Sequence, residues 1–276
     1  MAEKIFEKLT NEGLAKSREV ERLWQKFIDE KNYLWLRIVN IPTILQEGNS
    51  YMHLAARYGQ MDMFEMILSE EDNKNPKNHG GETPFIVACT KGRLNIAIIL
   101  INKSNELGID LDIKDKYGLT GFHQACWEGH SEVAEIIMKN AASTNIDLNV
   151  KDNWFGGTAF YHACWKGHSE IAKLIMKNAA SMNIDLNSKD YLGYTAFNKA
   201  CDRGHLEIAK LIMENAASMN IDLNSKDNKS NTAFWLSRIA KLVMETAARL
   251  NIDLNSKDNF GRTAFHLACK NAASMN

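Results

Sequence analysis

From Ser169 onward, the apolar residues Ile171, Ala172, Leu174, Ile175 and Ala179 recur at the three- and four-residue steps of a helix, with the charged Glu170, Lys173 and Lys177 on the opposite side. The spacing predicts an amphipathic helix with one stripe to bury. Just upstream, Phe160, Ala163 and Cys164 form a shorter stripe. Thr158 stands where a hydroxyl would satisfy the first free amides of a helix, and Gly167 stands where a left-handed residue would end one. The segment therefore reads as short helix, tight turn, longer helix. A connecting turn or hairpin follows in the polar run from Ile184 to Asp190, with a glycine a few residues on.

The same order recurs along the chain. Asp115, Asp152, Asp190, Asp227 and Asp258 each follow a lysine, at steps of 37, 38, 37 and 31 residues. A threonine opens each unit at Thr83, Thr120, Thr158, Thr195, Thr232 and Thr263, and Pro84 takes the first helical position, where proline is tolerated. Two divergent copies precede the rest, Ser50 to Ala56 with Gly59 and Thr83 to Cys89 with Gly92, with starts 33 residues apart. No unit of this size buries its apolar stripe alone, so the units are expected to stack into a solenoid with one continuous core. The fold class is all-α. The array is expected over 48–276, as five full repeats, a shortened sixth and a half seventh, behind a helical N-terminal segment at 1–47.

The repeated pattern resembles ankyrin repeats. Thr263-Ala264-Phe265-His266-Leu267-Ala268-Cys269 is similar to that family's helix-opening signature, and Gly-His follows at 129–130, 167–168 and 204–205. The period of about 37 exceeds that family's 33, and the excess at Asn178 to Met182 reads as one extra helical turn. In the sixth unit Thr232 to Ala240 lacks six residues present between Thr195 and Ala209, the Gly-His turn among them. The seventh jumps from Lys270 to Asn271, omitting the second helix, which predicts a C-terminal end that frays or is covered by a partner. In residues 1–47, Val20, Leu23, Trp24, Phe27 and Ile28, then Tyr33 to Val39 before Pro42, predict two or three helices that cap the array or dock a second partner.

Composition narrows the functional classes. The 276 residues carry 33 Lys plus Arg against 34 Asp plus Glu, which gives no global field to attract nucleic acid or an anionic membrane. The longest apolar run, Ile96 to Ile101, is far short of the roughly 20 residues a membrane span needs. The mixed charges of Met1 to Lys8 do not form a secretory signal, so a cytoplasmic or nuclear location is expected.

Candidate chemistry is sparse. Cys89, Cys126, Cys164, Cys201 and Cys269 each follow an alanine at one equivalent position per repeat, about 10 Å apart in packed helices, too far for a disulfide. They read as free core thiols of a reducing compartment. No metal-ligand spacing appears, and Gly80-Gly81 and Gly156-Gly157 lack a phosphate-loop context. His53, His123, His162 and His266 are read as following Thr-x-x, where the resemblance implies a hydrogen bond to the capping residue. His130, His168 and His205 hold the Gly-His turn, and His79 lies in a polar loop. The reading is non-enzymatic, with no catalytic residue, cofactor or metal.

The resemblance implies a concave binding face built from the two residues before each Gly-His turn and from the hairpin tips. The first set is Arg57, Tyr58, Thr90, Lys91, Trp127, Glu128, Trp165, Lys166, Asp202 and Arg203. The tips add Tyr117, Trp154, Phe155, Tyr191, Tyr194, Phe260 and Arg262. Trp127 and Trp165, in consecutive units, should lie side by side, where they either bind or pack the stack. The function expected is a monomeric protein-binding scaffold or adaptor for an unidentified protein partner, without nucleic acid or membrane. Two alternatives are a regulatory subunit hydroxylated at the turn asparagines Asn149, Asn187, Asn224 and Asn255, which resemble those that hydroxylases modify in ankyrin proteins, and a degenerate duplicate without a dedicated partner.

Overall fold

The computed structural model describes residues 47–230, 249–250 and 252–253. The expected N-terminal helices, most of the shortened sixth unit, the half seventh, and with them Phe260, Arg262, His266, Cys269 and Asn255, lie outside the described residues. Within them are ten α-helices and no strand. Five pairs follow the chain: α1 (Tyr51–Tyr58) and α2 (Met61–Glu70), α3 (Pro84–Thr90) and α4 (Leu94–Leu107), α5 (Gly121–Glu128) and α6 (Ser131–Thr144), α7 (Ala159–Lys166) and α8 (Ser169–Asn178), α9 (Ala196–Arg203) and α10 (Leu206–Asn215).

Each first helix starts as the sequence predicts. Ser50, Thr83, Thr120, Thr158 and Thr195 are extended, and each accepts a hydrogen bond from the backbone N–H three residues on. The pairs then stack in chain order, first helix on first helix and second on second. The first helices, of seven or eight residues, pack more closely on one another than the second helices of ten to fourteen, so the first-helix layer forms the inner side of the array.

The core lies between the layers. Ile96, Leu100, Val133, Ile137, Ile171, Ile175, Ile208 and Ile212 from the second helices are almost fully buried, as are Phe85, Phe122, Phe160 and Phe197 from the first. Cys89, Cys126, Cys164 and Cys201 are unpaired and buried among them, and burial raises their thiol pKa values well above the ordinary range.

The Gly-His turn joins one unit to the previous one. Gly129 and Gly167 end α5 and α7 with φ of 86°, in the left-handed region. The imidazoles of His130, His168 and His205 donate from Nε2 to the carbonyls of Thr90, Trp127 and Trp165 of the preceding unit, at 3.1, 2.9 and 2.9 Å. Arg93 holds the same place in the second unit and donates to the Arg57 carbonyl at 2.9 Å. The histidine ring lies so close over the preceding unit's glycine that a Cβ on Gly129 would stand 2.6 Å from His168. Gly129→Ala is therefore expected to cost at least the roughly 1–2 kcal/mol of a left-handed non-glycine residue. Thermal melts of Gly129→Ala with and without His168→Ala check this: the second change should recover the steric part and leave the backbone part.

The extra residues after the second helix take two forms. In α4 and α6 they are helical, giving 14 residues each. After α8 and α10 they continue as hydrogen-bonded turns, with Met182 N–H donating to Asn178 and Met219 N–H to Asn215. The single extra helical turn expected in every long unit thus holds in two units and is replaced by turns in two.

Candidate functional site

The connecting segments end in tips that sit over the N-termini of the first helices. Asp115, Asp152 and Asp190 organise them, each closing its own hairpin by a backbone N–H to the carbonyl of Leu119, Gly157 or Tyr194. Their carboxylates accept further N–H bonds from the tip: Asp115 from Tyr117 and Leu119, Asp190 from Leu192 and Tyr194. Neighbouring tips are stitched by Asn153 N–H to the Tyr117 carbonyl and Tyr191 N–H to the Phe155 carbonyl. The repeated acids are structural.

The fourth unit departs from this plan. Thr158 follows Asp152 by six positions, against five from Asp115 to Thr120 and from Asp190 to Thr195, so its tip holds one residue more. That tip presents Trp154 and Phe155 together, their rings stacked at 4.6 Å. Its first helix also differs from those that carry histidine at the third position. Histidine at the third helical position occurs at His53 and His123, where Nδ1 accepts from the capping residue's N–H and lies 2.8 and 2.9 Å from its hydroxyl oxygen, while Nε2 donates to the carbonyl of Glu82 or Val150 in the next unit.

His162 does not do this, contrary to the expectation from sequence. The third position of α7 is Tyr161, whose hydroxyl donates to Asp190 Oδ2 of the next unit at 2.5 Å. His162 stands one residue further, turned about 100° around the helix. There its Nε2 donates to Asp152 Oδ2 at 2.9 Å, with both side chains almost completely buried, and its Nδ1 is buried without a hydrogen-bond partner. Gly157 makes the shift possible, since a Cβ there would meet the Tyr161 ring at 2.5 Å. The signal for this was available in the sequence: Thr158 to His162 is four residues, not three.

The electrostatics follow from the partner at that position. Burial pushes the Asp115 carboxyl up, and its N–H bonds with the Gln124 amide only partly offset this. Burial also acts on Asp152, but the hydrogen bond and charge of His162, with the Phe155 and Trp154 N–H groups, outweigh it and hold the carboxyl at about 2. Burial, then the charge interaction with His162, lowers His123 to about 3, which fits its role as a neutral acceptor and donor.

Around His162 the rings form one connected cluster over the third and fourth units. Trp127 meets His162 edge-on at 5.0 Å and Trp165 edge-on at 5.3 Å; Phe155 meets Trp165 at 4.6 Å; Tyr117 stacks on Trp154 at 5.3 Å. The side-by-side placing of Trp127 and Trp165 is observed. Trp165 also packs against the core, whereas Trp154 and Tyr117 are 54% and 44% exposed. Cations surround the cluster: Lys166 Nζ lies 4.1 Å from the Trp127 centroid, Lys199 Nζ 4.4 Å from Tyr194 and 5.2 Å from Trp165, Arg203 5.4 Å from Trp165, and Lys116 4.9 Å from Tyr117. Asp202 lies 3.9 Å from Lys199 and 3.8 Å from Arg203, and Glu128 is exposed. Tyr191 is exposed, with its hydroxyl donating to the Asp152 carbonyl. Arg57, Tyr58 and Lys91 belong to the first two units, where Arg57 is 3.8 Å from Glu47.

The turn asparagines form a second ladder, away from the rings. Asn149 Nδ2 donates to the Asn183 carbonyl and its Oδ1 accepts from the Asp185 N–H, both at 2.8 Å. Asn187 does the same with Asn220 and Asp222 at 2.9 Å, and Asn224 accepts from Asp253. Asn75 and Asp112 fill the corresponding places in the earlier units. Among the described residues no group of three or more His, Cys, Asp or Glu side chains is placed to hold a metal ion, and no helix is long and apolar enough to cross a membrane.

A family model described as ankyrin repeats (3 copies) matches residues 52–152 and 142–227, more than half of the chain. No curated protein matches it.

Proposed function

The chain belongs to the ankyrin repeat family, and on that premise we propose that it is a non-enzymatic scaffold or adaptor that binds a protein partner through the inner face of its solenoid. Ankyrin repeats are generally protein-interaction modules. The observation that carries the reading here is the connected ring cluster on the tips and first helices of the third and fourth units, whose outermost members Trp154 and Tyr117 are exposed rather than spent on the core. Tryptophan and tyrosine with flanking basic residues are the composition of binding hot spots. The proposal includes a monomer in a reducing cytoplasmic or nuclear setting, in keeping with four buried, unpaired thiols.

The rival use of Asn149, Asn187 and Asn224 as hydroxylation sites has less support, because Asn149 and Asn187 spend both ends of the amide on the next unit. Intact mass from native cells tests it, through an added oxygen per modified turn.

The exposed position of Trp154 makes the scaffold reading testable without unfolding the array. Trp154→Ala with Tyr117→Ala is expected to leave the melting temperature within a few degrees of the wild type and to abolish capture of a partner from native-cell lysate. Loss of a single hot-spot side chain costs about 2 kcal/mol or more, about 30-fold in affinity. Equal capture by the variant and the wild type would move binding away from this face.

A further inference from the structure

We propose that the ring cluster receives an extended, acidic segment of a partner protein that carries an aromatic side chain, the rings taking the aromatic group and the surrounding cations the carboxylates. The inference rests on the scaffold reading and specifies its ligand.

Charge complementarity carries it. The whole chain is nearly neutral, with a formal charge of −1, yet four cations stand within 5.4 Å of ring centroids in this one patch. Asp202 is shared between Lys199 and Arg203 at long range, 3.9 and 3.8 Å. Lys116 and Lys166 have no carboxylate within salt-bridge distance among the described residues. A cation resting on a ring face in the free protein is satisfied by the ring alone and gains when a carboxylate arrives beside it. A basic or neutral ligand gains nothing of the kind and must displace these groups.

The geometry sets the length. The patch runs from the Tyr117 ring at the tip of the third unit to the cations Lys199 and Arg203 on the first helix of the fifth, about two unit spacings of roughly 10 Å each. Extended chain covers that in about six residues, at about 3.3 Å per residue. Trp154, at the outer edge and 54% exposed, is the ring open to the partner's aromatic group.

Single-stranded nucleic acid would also stack on rings beside lysines, but it needs a free basic track for its phosphates. The lysines that repeat along the hairpins do not form one: Lys151 Nζ donates to the Lys189 carbonyl at 2.6 Å and Lys189 Nζ to the Lys226 carbonyl at 3.0 Å, which fastens unit to unit.

The test is selection of displayed random twelve-residue peptides on the immobilised full chain, followed by titration of the enriched peptides and of a twelve-nucleotide oligothymidine. The expected result is enrichment of peptides with several Asp or Glu and at least one aromatic residue. Their affinity should fall at least tenfold for Lys116→Glu with Lys166→Glu, and for Trp154→Ala, at unchanged thermal stability. Enriched peptides that are basic or neutral but still depend on Trp154 would overturn the acidic segment and leave the scaffold reading standing. Peptides indifferent to Trp154 and both lysines would overturn both. No enrichment over an uncoated surface, or tighter binding of the oligothymidine than of any peptide, would likewise sink the proposal.

Discussion

Asp152→Ala is expected to be among the most destabilising single changes in the array, at about 3 kcal/mol or more, because several buried donors lose their acceptor at once and each costs about 1–3 kcal/mol when left unsatisfied. The carboxylate accepts from the N–H groups of Trp154 and Phe155 at 2.6 Å each, of Gly157 at 2.9 Å, and from His162 Nε2 at 2.9 Å. Alanine leaves three tip amides and a buried imidazole without acceptors. Urea unfolding of the variant beside Asp115→Ala separates the two sites, because Asp115 keeps the plain tip bonds without the histidine and should cost less. A loss no larger than that of Asp115→Ala would show the pair with His162 to be worth nothing. The pH dependence has a definite sign. The carboxyl is held at about 2 in the fold, below the roughly 3.9 of an unfolded aspartate. Its contribution is therefore present above about pH 4 and is lost as pH falls through about 2. Over that window the wild type should lose stability to which the variant, lacking the group, is indifferent.

Ile137→Ala should cost about 2–5 kcal/mol, the range for removing buried methylenes that neighbours cannot refill. Ile137 is fully buried in α6, the middle of the five second helices. In a stack where each unit touches only its neighbours, the damage should stay near its source. Amide exchange is expected to quicken most in α5 and α6, next in the adjoining α3, α4, α7 and α8, and least in α1, α2, α9 and α10. A uniform loss of protection from α1 to α10 would show that the described units open only as one body.

Most of the fold was legible because its rules are local. A capping threonine, an apolar stripe and a glycine each act within one unit, and repetition displays each of them several times. The thiols were legible for the same reason, one equivalent seat per unit. What escaped were changes of register and bonds between units. His162 was read as following Thr-x-x like His123, but it stands one residue further on, and that slip turns the side chain from a carbonyl of the next unit to the Asp152 carboxylate of its own. The lengthened tip that accompanies it puts Trp154 and Phe155 together, and this was visible only by counting from Asp152 to Thr158. The asparagine ladder was hidden more deeply. Nothing in Ile-Asp-Leu-Asn says where its amide goes until the next unit is laid beside it.

The fastenings between units have a direction that matters for how the chain is made. The side chains of Arg93, His130, His168 and His205 reach back over 36 to 41 residues to carbonyls already synthesised. Asn149 and Asn187 reach forward to residues 34 and 33 positions later. A helix pair emerging from the ribosome therefore secures its predecessor on arrival, and is itself secured only when its successor emerges. Assembly during translation then advances like a zip, with a single unfinished tooth travelling behind the point of synthesis.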